Sequence, residues 1–234
     1  MSNNMENLNP FMVIENPKAW GPGSFEMAQS LVLATKIKEG MRVLEVGGGS
    51  GQIATTIAKH WNVTVVVLEP WSDGTEIQTY AKEQSVENKV LSLKVKAQSM
   101  PFASESFDAI ISIGSFEMIG EERPLALSEM IRVAKKGARI GIAEPMCLPG
   151  PIPDDIPDSK IKTSFEKCFS TLQWNCDLFT NQGLKLIESY YFEDAFRWWE
   201  EYRDQGRISE TEQQFITQDN GRWISLGLVV GEKK

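Results

Sequence analysis

Four glycines stand between two apolar runs of the chain, at positions 47, 48, 49 and 51. The apolar runs, residues 43–46 and 63–68, predict short buried parallel strands, and residues 52–60 between them predict a helix. Glycines let the backbone approach a ligand, and the first N–H groups of a helix favour an electronegative group. Glu69 follows the second strand, where a carboxylate can accept both hydroxyls of a ribose. The stretch therefore predicts a nucleoside-binding βαβ unit.

The glycine spacing separates two classes of nucleoside cofactor. Dinucleotide enzymes carry G-x-G-x-x-G, but the residue three positions after Gly49 is Gln52. The run Leu-Glu-Val-Gly-Gly-Gly-Ser-Gly at 44–51 instead resembles motif I of the class I S-adenosylmethionine-dependent methyltransferases, within their small-molecule, UbiE-like type 11 group. That resemblance implies an α/β, Rossmann-like, seven-stranded, mostly parallel sheet with helices on both faces. It also implies an N-terminal helical arm and a helical cap insertion after strand five.

A second stretch carries the same resemblance. Residues 97–102, followed by Ser-Phe-Asp at 106–108 and a fourth strand, match the family's adenine-binding loop. The family usually has an aspartate at the position of Lys96, where it accepts a hydrogen bond from the adenine amine. Lysine can only donate, so the side-chain oxygen of Gln98 is the predicted substitute. The alternative is that Gln98 is a solvated loop residue.

The resemblance implies S-adenosyl-L-methionine as cofactor, with S-adenosyl-L-homocysteine as product. The predicted cofactor-binding residues are Glu45, Gly47, Gly49, Gly51, Glu69, Pro70, Trp71, Ala97, Gln98, Ser112 and Gly114. The glycines would face the amino-acid half of the donor and Glu45 its ammonium, directly or through water. Glu69 would accept the ribose hydroxyls, and Trp71 would cover the adenine. No metal site is predicted.

The acceptor side is predicted from the segments that vary in such folds: the N-terminal arm, residues 116–118 and residues 144–223. Trp20, Phe116 and Glu117 are the predicted substrate-binding residues. An aromatic box with nearby carboxylates would suit a cationic amine, although the same rings also suit core packing. His60, the one histidine, falls at the far end of its helix, and no catalytic residue is assigned. An amine, thiol or activated carbon is therefore favoured over a plain hydroxyl, which would require a base.

We expect one domain over residues 1–234, with an N-terminal arm and helix (1–40) and a cofactor-binding core (41–143). A cap (144–183) and C-terminal strands and helices (184–234) would follow. Within it, Ser24 is the expected N-cap of a helix reaching Ile37. A helix over residues 123–136 should close at Lys-Lys-Gly. Five prolines between residues 145 and 157 predict an irregular connection over 144–162.

The composition of the chain limits the classes of partner that it can bind. The net charge of −8 makes nucleic acids and anionic membranes poor partners. Residues 1–20 lack the apolar core of a signal peptide, and no run approaches a membrane span, so a cytoplasmic protein is expected. The resemblance implies a small-molecule methyl acceptor as its partner. The three scattered cysteines suggest no disulfide framework. The sequence leaves the oligomeric state open.

Three other interpretations remain. A nicotinamide-dependent oxidoreductase would need a Tyr-x-x-x-Lys or similar device, and no tyrosine has a lysine four residues later. A non-catalytic S-adenosylmethionine-binding regulatory module is kept open by Lys96. Cysteines in the cap also suggest a thiophilic acceptor such as trivalent arsenic, but they match none of the corresponding motifs.

Overall fold

The computed structural model describes residues 9–234, which are built around one seven-stranded sheet. Its strands are β1 Arg42–Val46, β2 Thr64–Leu68, β3 Val90–Leu93, β4 Phe107–Ile113, β5 Ala134–Cys147, β6 Lys185–Tyr191 and β7 Ile224–Glu232. The order across the sheet is β3-β2-β1-β4-β5-β7-β6. Strand β7 runs antiparallel to both of its neighbours and the other pairings are parallel. The predicted seven-stranded, mostly parallel sheet is confirmed, with antiparallel pairing confined to β7.

Helices cover both faces of this sheet. They are α1 Ser24–Ala34, α2 Gln52–His60, α3 Thr75–Glu83, α4 Arg123–Val133, α5 Lys160–Cys168, α6 Leu172–Asn181, α7 Ala195–Asp204 and α8 Glu210–Asp219, with a 3-10 helix at Glu117–Glu122. Alternate residues of β1 enter different cores: Val43 belongs to the core that includes residues of α1, α2, α3, α7 and α8, and Leu44 to the core that includes residues of α4 and α6. Burial on both faces explains the nearly continuous apolar runs in the central strands.

The chain reverses its direction of winding at the centre of the sheet. Strand β1 pairs with β2 on one side and with β4 on the other. Such a reversal leaves a crevice at the carboxyl ends of the two central strands, where open α/β sheets bind ligands. The glycine turn after β1 and the loop after β4 both start at this crevice, so the fold places them side by side.

The predicted limits of α1 are wrong at both ends. Gly23, with φ of 62°, occupies the N-cap position, and the Ser24 hydroxyl donates backwards to the Gly21 carbonyl oxygen at 3.0 Å. The helix ends at Ala34 because Lys36 takes a left-handed conformation, φ 56°, and Ile37 N–H bonds to Val32 O. This is the hydrogen-bond pattern of a C-cap, formed here without glycine.

The prediction that Lys135 and Lys136 close α4 is also wrong. The helix ends at Val133, and Ala134 already pairs with Phe107 in the sheet. The Lys135 ammonium lies 2.7 Å from a carboxylate oxygen of Asp108 at the start of β4. These two lysines therefore belong to the strand, and their charges do not compensate the helix dipole.

Strand β5 also extends beyond its predicted end. It continues to Cys147 and includes Pro145, so the irregular connection predicted from residue 144 begins only after the strand. Pairing with β4 stops at Ala143, and residues beyond it have β7 as their ladder neighbour. A proline is tolerated where one side of a strand is unpaired. The extension places Glu144 inside the sheet.

The two helices after β5 have different surroundings. Helix α5 contacts the 3-10 helix and α8 above the sheet, whereas α6 packs on β6 and β7. Helix α6 begins at Leu172, where the Thr171 hydroxyl accepts a hydrogen bond from Trp174 N–H. Only α5 therefore resembles a cap. The subdivision of the chain into residues 1–40, 41–143, 144–183 and 184–234 stays a prediction.

Candidate active site

The glycine turn after β1 can be formed only by residues without a side chain. Gly47 and Gly51 have φ of 76° and 77°. A Cβ on Gly47 would lie 2.2 Å from the Ser115 hydroxyl oxygen, and one on Gly51 would lie 2.6 Å from Ile77. Both distances are far inside van der Waals contact. The turn therefore presents bare backbone at the crevice and starts α2 with its N–H groups directed there.

Glu69 joins the glycine turn to the loop after β2. Its side chain is buried, with one carboxylate oxygen accepting from Gly49 N–H at 2.9 Å and the other from Trp71 N–H at 3.0 Å. A carboxylate has about four acceptor positions, so each oxygen retains room for another donor. The predicted ribose-binding residue therefore lies at the crevice, held in place by two backbone donors.

Glu45 is more deeply buried than Glu69, at 1% exposure, and its Oε2 atom has no hydrogen-bond partner among the described residues. Burial, and secondarily the charge of Glu69, raise the pKa of Glu45 to about 8. A buried carboxyl oxygen without a donor is costly, so the site is incomplete as it stands. An ammonium group reaching the turn would supply both a donor and a positive charge. The residues present fit the predicted cofactor.

The raised pKa of Glu45 predicts that the stability of the free protein falls with pH. Its native pKa of about 8 exceeds the ordinary 4.5, so its stabilising effect is full below pH 4.5 and is lost as pH rises to 8. Between pH 5.5 and 8.5, Glu45→Gln should remove on the order of 3 kcal/mol of this decline. Urea unfolding at both pH values measures it, with exposed Glu39→Gln as control. Equal declines in wild type and Glu45→Gln would contradict the assignment.

Two serines fix the end of β4 against β1. The hydroxyls of Ser112 and Ser115 both donate to the Val46 carbonyl oxygen, at 2.9 and 2.7 Å. Ser112 is fully buried, so the structure places this predicted cofactor residue behind the turn. Gly114, also predicted, has φ of 57° and donates its N–H to Ala143 O at 2.9 Å. Sequence reasoning missed Ser115, because its role depends on contact with a distant strand.

The predicted adenine edge lies in the loop that follows β3, at the same carboxyl-end edge of the sheet as the glycine turn. Ala97 is buried, and the Gln98 side-chain amide donates to a Glu122 carboxylate oxygen at 2.9 Å. This bond uses the amide nitrogen of Gln98 and leaves its side-chain oxygen as an acceptor. The Trp71 ring is 85% exposed beside Pro70, so it is available to cover a flat ligand. The side chain of Lys96 is exposed.

Replacing Lys96 tests the adenine edge. Lys96→Asp should raise the affinity for S-adenosylmethionine by about 3–10-fold, because it restores an acceptor for the adenine amine. Isothermal titration calorimetry measures the change. Lys94→Asp makes the same charge change two residues away, also at an exposed side chain. A gain that is equal in both variants would show a general charge effect and contradict a specific hydrogen bond.

The three predicted acceptor-side residues have different surroundings. Trp20 is 74% exposed, and its indole Cδ1 lies 3.6 Å from where a Cβ on Gly49 would stand. It therefore lies over the glycine turn, with its carbonyl oxygen accepting from the Tyr202 hydroxyl at 3.3 Å. The structure does not bring Phe116 to the crevice surface, because this ring is fully buried in the core beneath α4. Glu117 is also buried, and its backbone N–H donates to Glu144 Oε2 at 2.9 Å.

The aromatic residues of the C-terminal third form a packed cluster. The Phe165 and Phe169 rings of the α5 region stack at 4.5 Å between centroids, and both lie near Trp199. Trp199 and Trp223 are buried. The structure favours the packing interpretation of these rings over an open aromatic box. Sequence reasoning did not foresee Arg123, whose guanidinium is buried near Glu117 and Glu144.

Other site classes find no support among residues 9–234. These residues contain no group of three histidine, cysteine, aspartate or glutamate side chains arranged to hold a metal ion. In the same range, no helix has both the length and the apolar character that crossing a membrane requires. His60 is exposed at the last residue of α2, away from the crevice, as its position in the sequence predicted.

Comparison with known proteins agrees with this geometry. Residues 44–142 match the family model described as a methyltransferase domain. An O-methyltransferase from Pyrenophora dematioidea is 32% identical over 155 residues, which cover 64% of this chain and 56% of that protein. The chain spans about half the length of the curated relatives it matches.

Solved structures share the fold at low sequence identity. Geranyl diphosphate methyltransferase in complex with SAM has a TM-score of 0.76 at 16% identity, covering 89% of this chain and 85% of that one. The [4+2]-cyclase SpnF has the same TM-score and identity, covering 89% and 80%. The matched segment begins within β1 and ends within β5, and so contains the glycine turn, Glu69 and both serines. Residues 44–142 therefore resemble a methyltransferase domain, and the solved structures share their fold with 89% of the chain, in agreement with the motifs.

Proposed function

We propose that this chain transfers a methyl group from S-adenosyl-L-methionine to a small organic acceptor, leaving S-adenosyl-L-homocysteine. The observation that carries the proposal is the position of Glu69, buried at the crevice and bonded to Gly49 N–H and Trp71 N–H. A carboxylate held between the glycine turn and the second loop suits a ribose. The unpartnered Oε2 of Glu45 supports an ammonium at the same turn.

The chemistry divides between donor and protein. The bound sulfonium supplies an activated methyl group, so the chain must bind it, place the acceptor atom behind the methyl carbon and exclude water. The bare turn at Gly47 and Gly51 would let the amino-acid half lie against backbone. Trp20 over Gly49 and the exposed Trp71 ring are placed to shield a bound nucleoside from solvent.

For the acceptor, we propose an amine, thiol or activated carbon ahead of a plain hydroxyl. The residues around the crevice include no histidine that could serve as base, since His60 lies at the far end of α2. The relative from Pyrenophora dematioidea is named an O-methyltransferase, so phenols belong in any test of this preference.

Calorimetric titration with S-adenosylmethionine, S-adenosylhomocysteine and NAD tests cofactor identity. The two sulfur nucleosides should bind with one-to-one stoichiometry and NAD should not bind. Preference for NAD would support the oxidoreductase alternative and overturn the proposal.

Incubation with methyl-labelled donor and panels of amines, thiols and phenols then tests transfer, with labelled products identified by mass spectrometry. Donor binding without transfer to any panel, or to compounds in a metabolite extract, would favour the regulatory binding module. The Lys96 departure from the family pattern keeps that second function open.

A further inference from the structure

We propose that Glu117 and Glu144, with Arg123 as counter-charge, form a buried cation site that binds the protonated amino group of the methyl acceptor and takes up its proton. The inference rests on the proposed methyl transfer and narrows the acceptor to an amine. The three side chains come from the 3-10 helix, β5 and the first residue of α4. They meet beside the loop that follows β4.

The cluster is buried but incompletely bonded. Glu117, Glu144 and Arg123 are 3%, 1% and 4% exposed. Each nevertheless keeps one polar atom without a partner among the described residues: Glu117 Oε2, Glu144 Oε1 and Arg123 Nη1. Buried polar atoms are almost always hydrogen-bonded. Because the Glu117 and Glu144 carboxyls contact each other, a proton shared between them would partner one oxygen of each, so the cluster requires either that proton or another donor.

Arg123 is fixed in place by groups outside the carboxyl pair. Its Nε donates to Gly120 O at 3.0 Å, its Nη2 donates to Ser170 Oγ at 2.9 Å, and its guanidinium carbon lies 4.2 Å from the Trp174 ring centroid. A guanidinium held this way supplies a permanent positive charge beside the two carboxyls.

When both carboxyls of the cluster are ionised, it carries one more negative charge than positive charge. The other titratable groups close to Arg123 are the thiols of Cys147 and Cys168, from β5 and α5, which are neutral when protonated. If both carboxyls ionise, Arg123 offsets one of them. An unpaired charge in a buried site is strongly disfavoured, so the pair must hold either a proton or a cation.

The protonation behaviour of the pair agrees with this balance. Burial raises the pKa of Glu117 to about 7, with Arg123 acting in the opposite direction. Burial, and next the charge of Glu117, raise the pKa of Glu144 well above its usual range. At neutral pH, the pair therefore shares a proton that an ammonium group can replace. An ammonium brings three N–H donors for the orphan oxygens, whereas a thiol or phenol brings no charge.

The cluster follows closely after a residue that packs on the cofactor turn. Ser115, two residues before Glu117, binds Val46 O and would touch a Cβ on Gly47. Two glycines with positive φ, Gly114 and Gly120, flank Glu117 on either side. Nothing lies within 4 Å of a Cβ on Gly120, so the chain three residues after Glu117 faces open space.

The proton transfer and methyl transfer balance. The acceptor R–NH₃⁺ gives one proton to a carboxylate oxygen of the pair, which leaves a lone pair on nitrogen. That lone pair forms the new C–N bond to the methyl carbon as the S–C bond breaks and its electrons pass to sulfur. The product is R–NH₂CH₃⁺, and the pair carries the proton that the acceptor lost.

Carbon-13 NMR of protein labelled at the glutamate side-chain carboxyl carbon tests the shared proton without knowledge of the acceptor. In the free wild-type protein, a carboxyl signal from the pair should titrate near or above pH 7. Glu144→Gln and Glu117→Gln should each abolish this coupled titration, whereas the exposed Glu121→Gln should preserve it. Two carboxyl variants are used because one of them could fail to fold, and circular dichroism checks the folding of each. Ordinary titration near pH 4.5 for both groups would overturn the proposal.

Methylammonium chloride tests the cation. At 50 mM it should lower the pKa of the pair by about one unit, which is tenfold in proton affinity, relative to 50 mM potassium chloride. The shift should persist in Glu121→Gln, which retains the coupled titration. An unchanged pKa with methylammonium would overturn the assignment of an amine acceptor. If the donor still bound in calorimetry, this result would leave the proposed methyl transfer unaffected. If methylammonium lowered the pKa of the pair but S-adenosylmethionine did not bind, the proposed function would be wrong. The site would then bind a cation without a role in methyl transfer.

Discussion

Replacing Glu69 with alanine is expected to lower the affinity for S-adenosylmethionine by roughly 10²–10³-fold, since two charge-assisted hydrogen bonds to the ribose are lost. The same carboxylate also accepts from Gly49 N–H and Trp71 N–H. Its removal therefore loosens the glycine turn as well as removing the ribose contact. Both consequences weaken binding of the donor.

Calorimetry on three variants separates these contributions. Glu69→Gln keeps one acceptor oxygen and should lose less affinity than Glu69→Ala. Glu76→Ala removes an exposed carboxylate of α3 that pairs with Lys18, and should bind the donor as wild type does. Unchanged donor affinity in Glu69→Ala would remove the ribose-binding role.

Replacing Gly47 with alanine is also expected to have a large effect, on both stability and donor binding. The left-handed φ of 76° strains any residue with a side chain, and the new Cβ would lie 2.2 Å from Ser115 Oγ. Displacing Ser115 also breaks its hydrogen bond to Val46 O, which fixes β4 against β1. We expect the free energy of unfolding to fall by about 3–5 kcal/mol, with donor binding lost.

Gly40→Ala provides the matched control for backbone strain alone. Gly40 has φ of 80°, yet nothing lies within 4 Å of a Cβ built there. This variant should lose about 1–2 kcal/mol of stability and keep donor affinity. Urea unfolding and calorimetry compare the two variants. If Gly47→Ala behaved like Gly40→Ala, the close approach at the turn would have no functional consequence.

Local sequence was sufficient for the cofactor half of the fold. The predicted limits of α2 agree with the structure at both ends, and β1 and β2 differ by a single residue at their starts. These elements are short and strongly apolar, or are bounded by glycines whose positive φ the turn requires. The position of Glu69 followed from the same local pattern.

Elements that depend on distant partners were mispredicted. Nothing in the local sequence shows that Ala134 pairs with Phe107, so the expected helix end covered the start of β5. Helix α8 was missed because it is largely polar. Its identifiable signals are Ser209, whose hydroxyl caps it by accepting from Glu212 N–H, and buried Phe215 and Ile216.

The acceptor side of the site is formed by tertiary contacts, which limits what sequence alone predicts there. Glu117 was predicted as a substrate residue, but its pairing with Glu144 depends on β5 extending past Pro145. Arg123 joins them only because α4 begins beside the 3-10 helix. The proton acceptor that we propose, the Glu117–Glu144 pair, was therefore not visible from inspection of the single histidine.

The crystal structure of this protein with S-adenosylhomocysteine tests the central claim most directly. We expect both ribose hydroxyls within hydrogen-bond distance of the Glu69 carboxylate, with the amino-acid half against Gly47 and its ammonium directed toward Glu45. Density for the nucleoside elsewhere, or a crevice left empty at saturating ligand, would contradict the account.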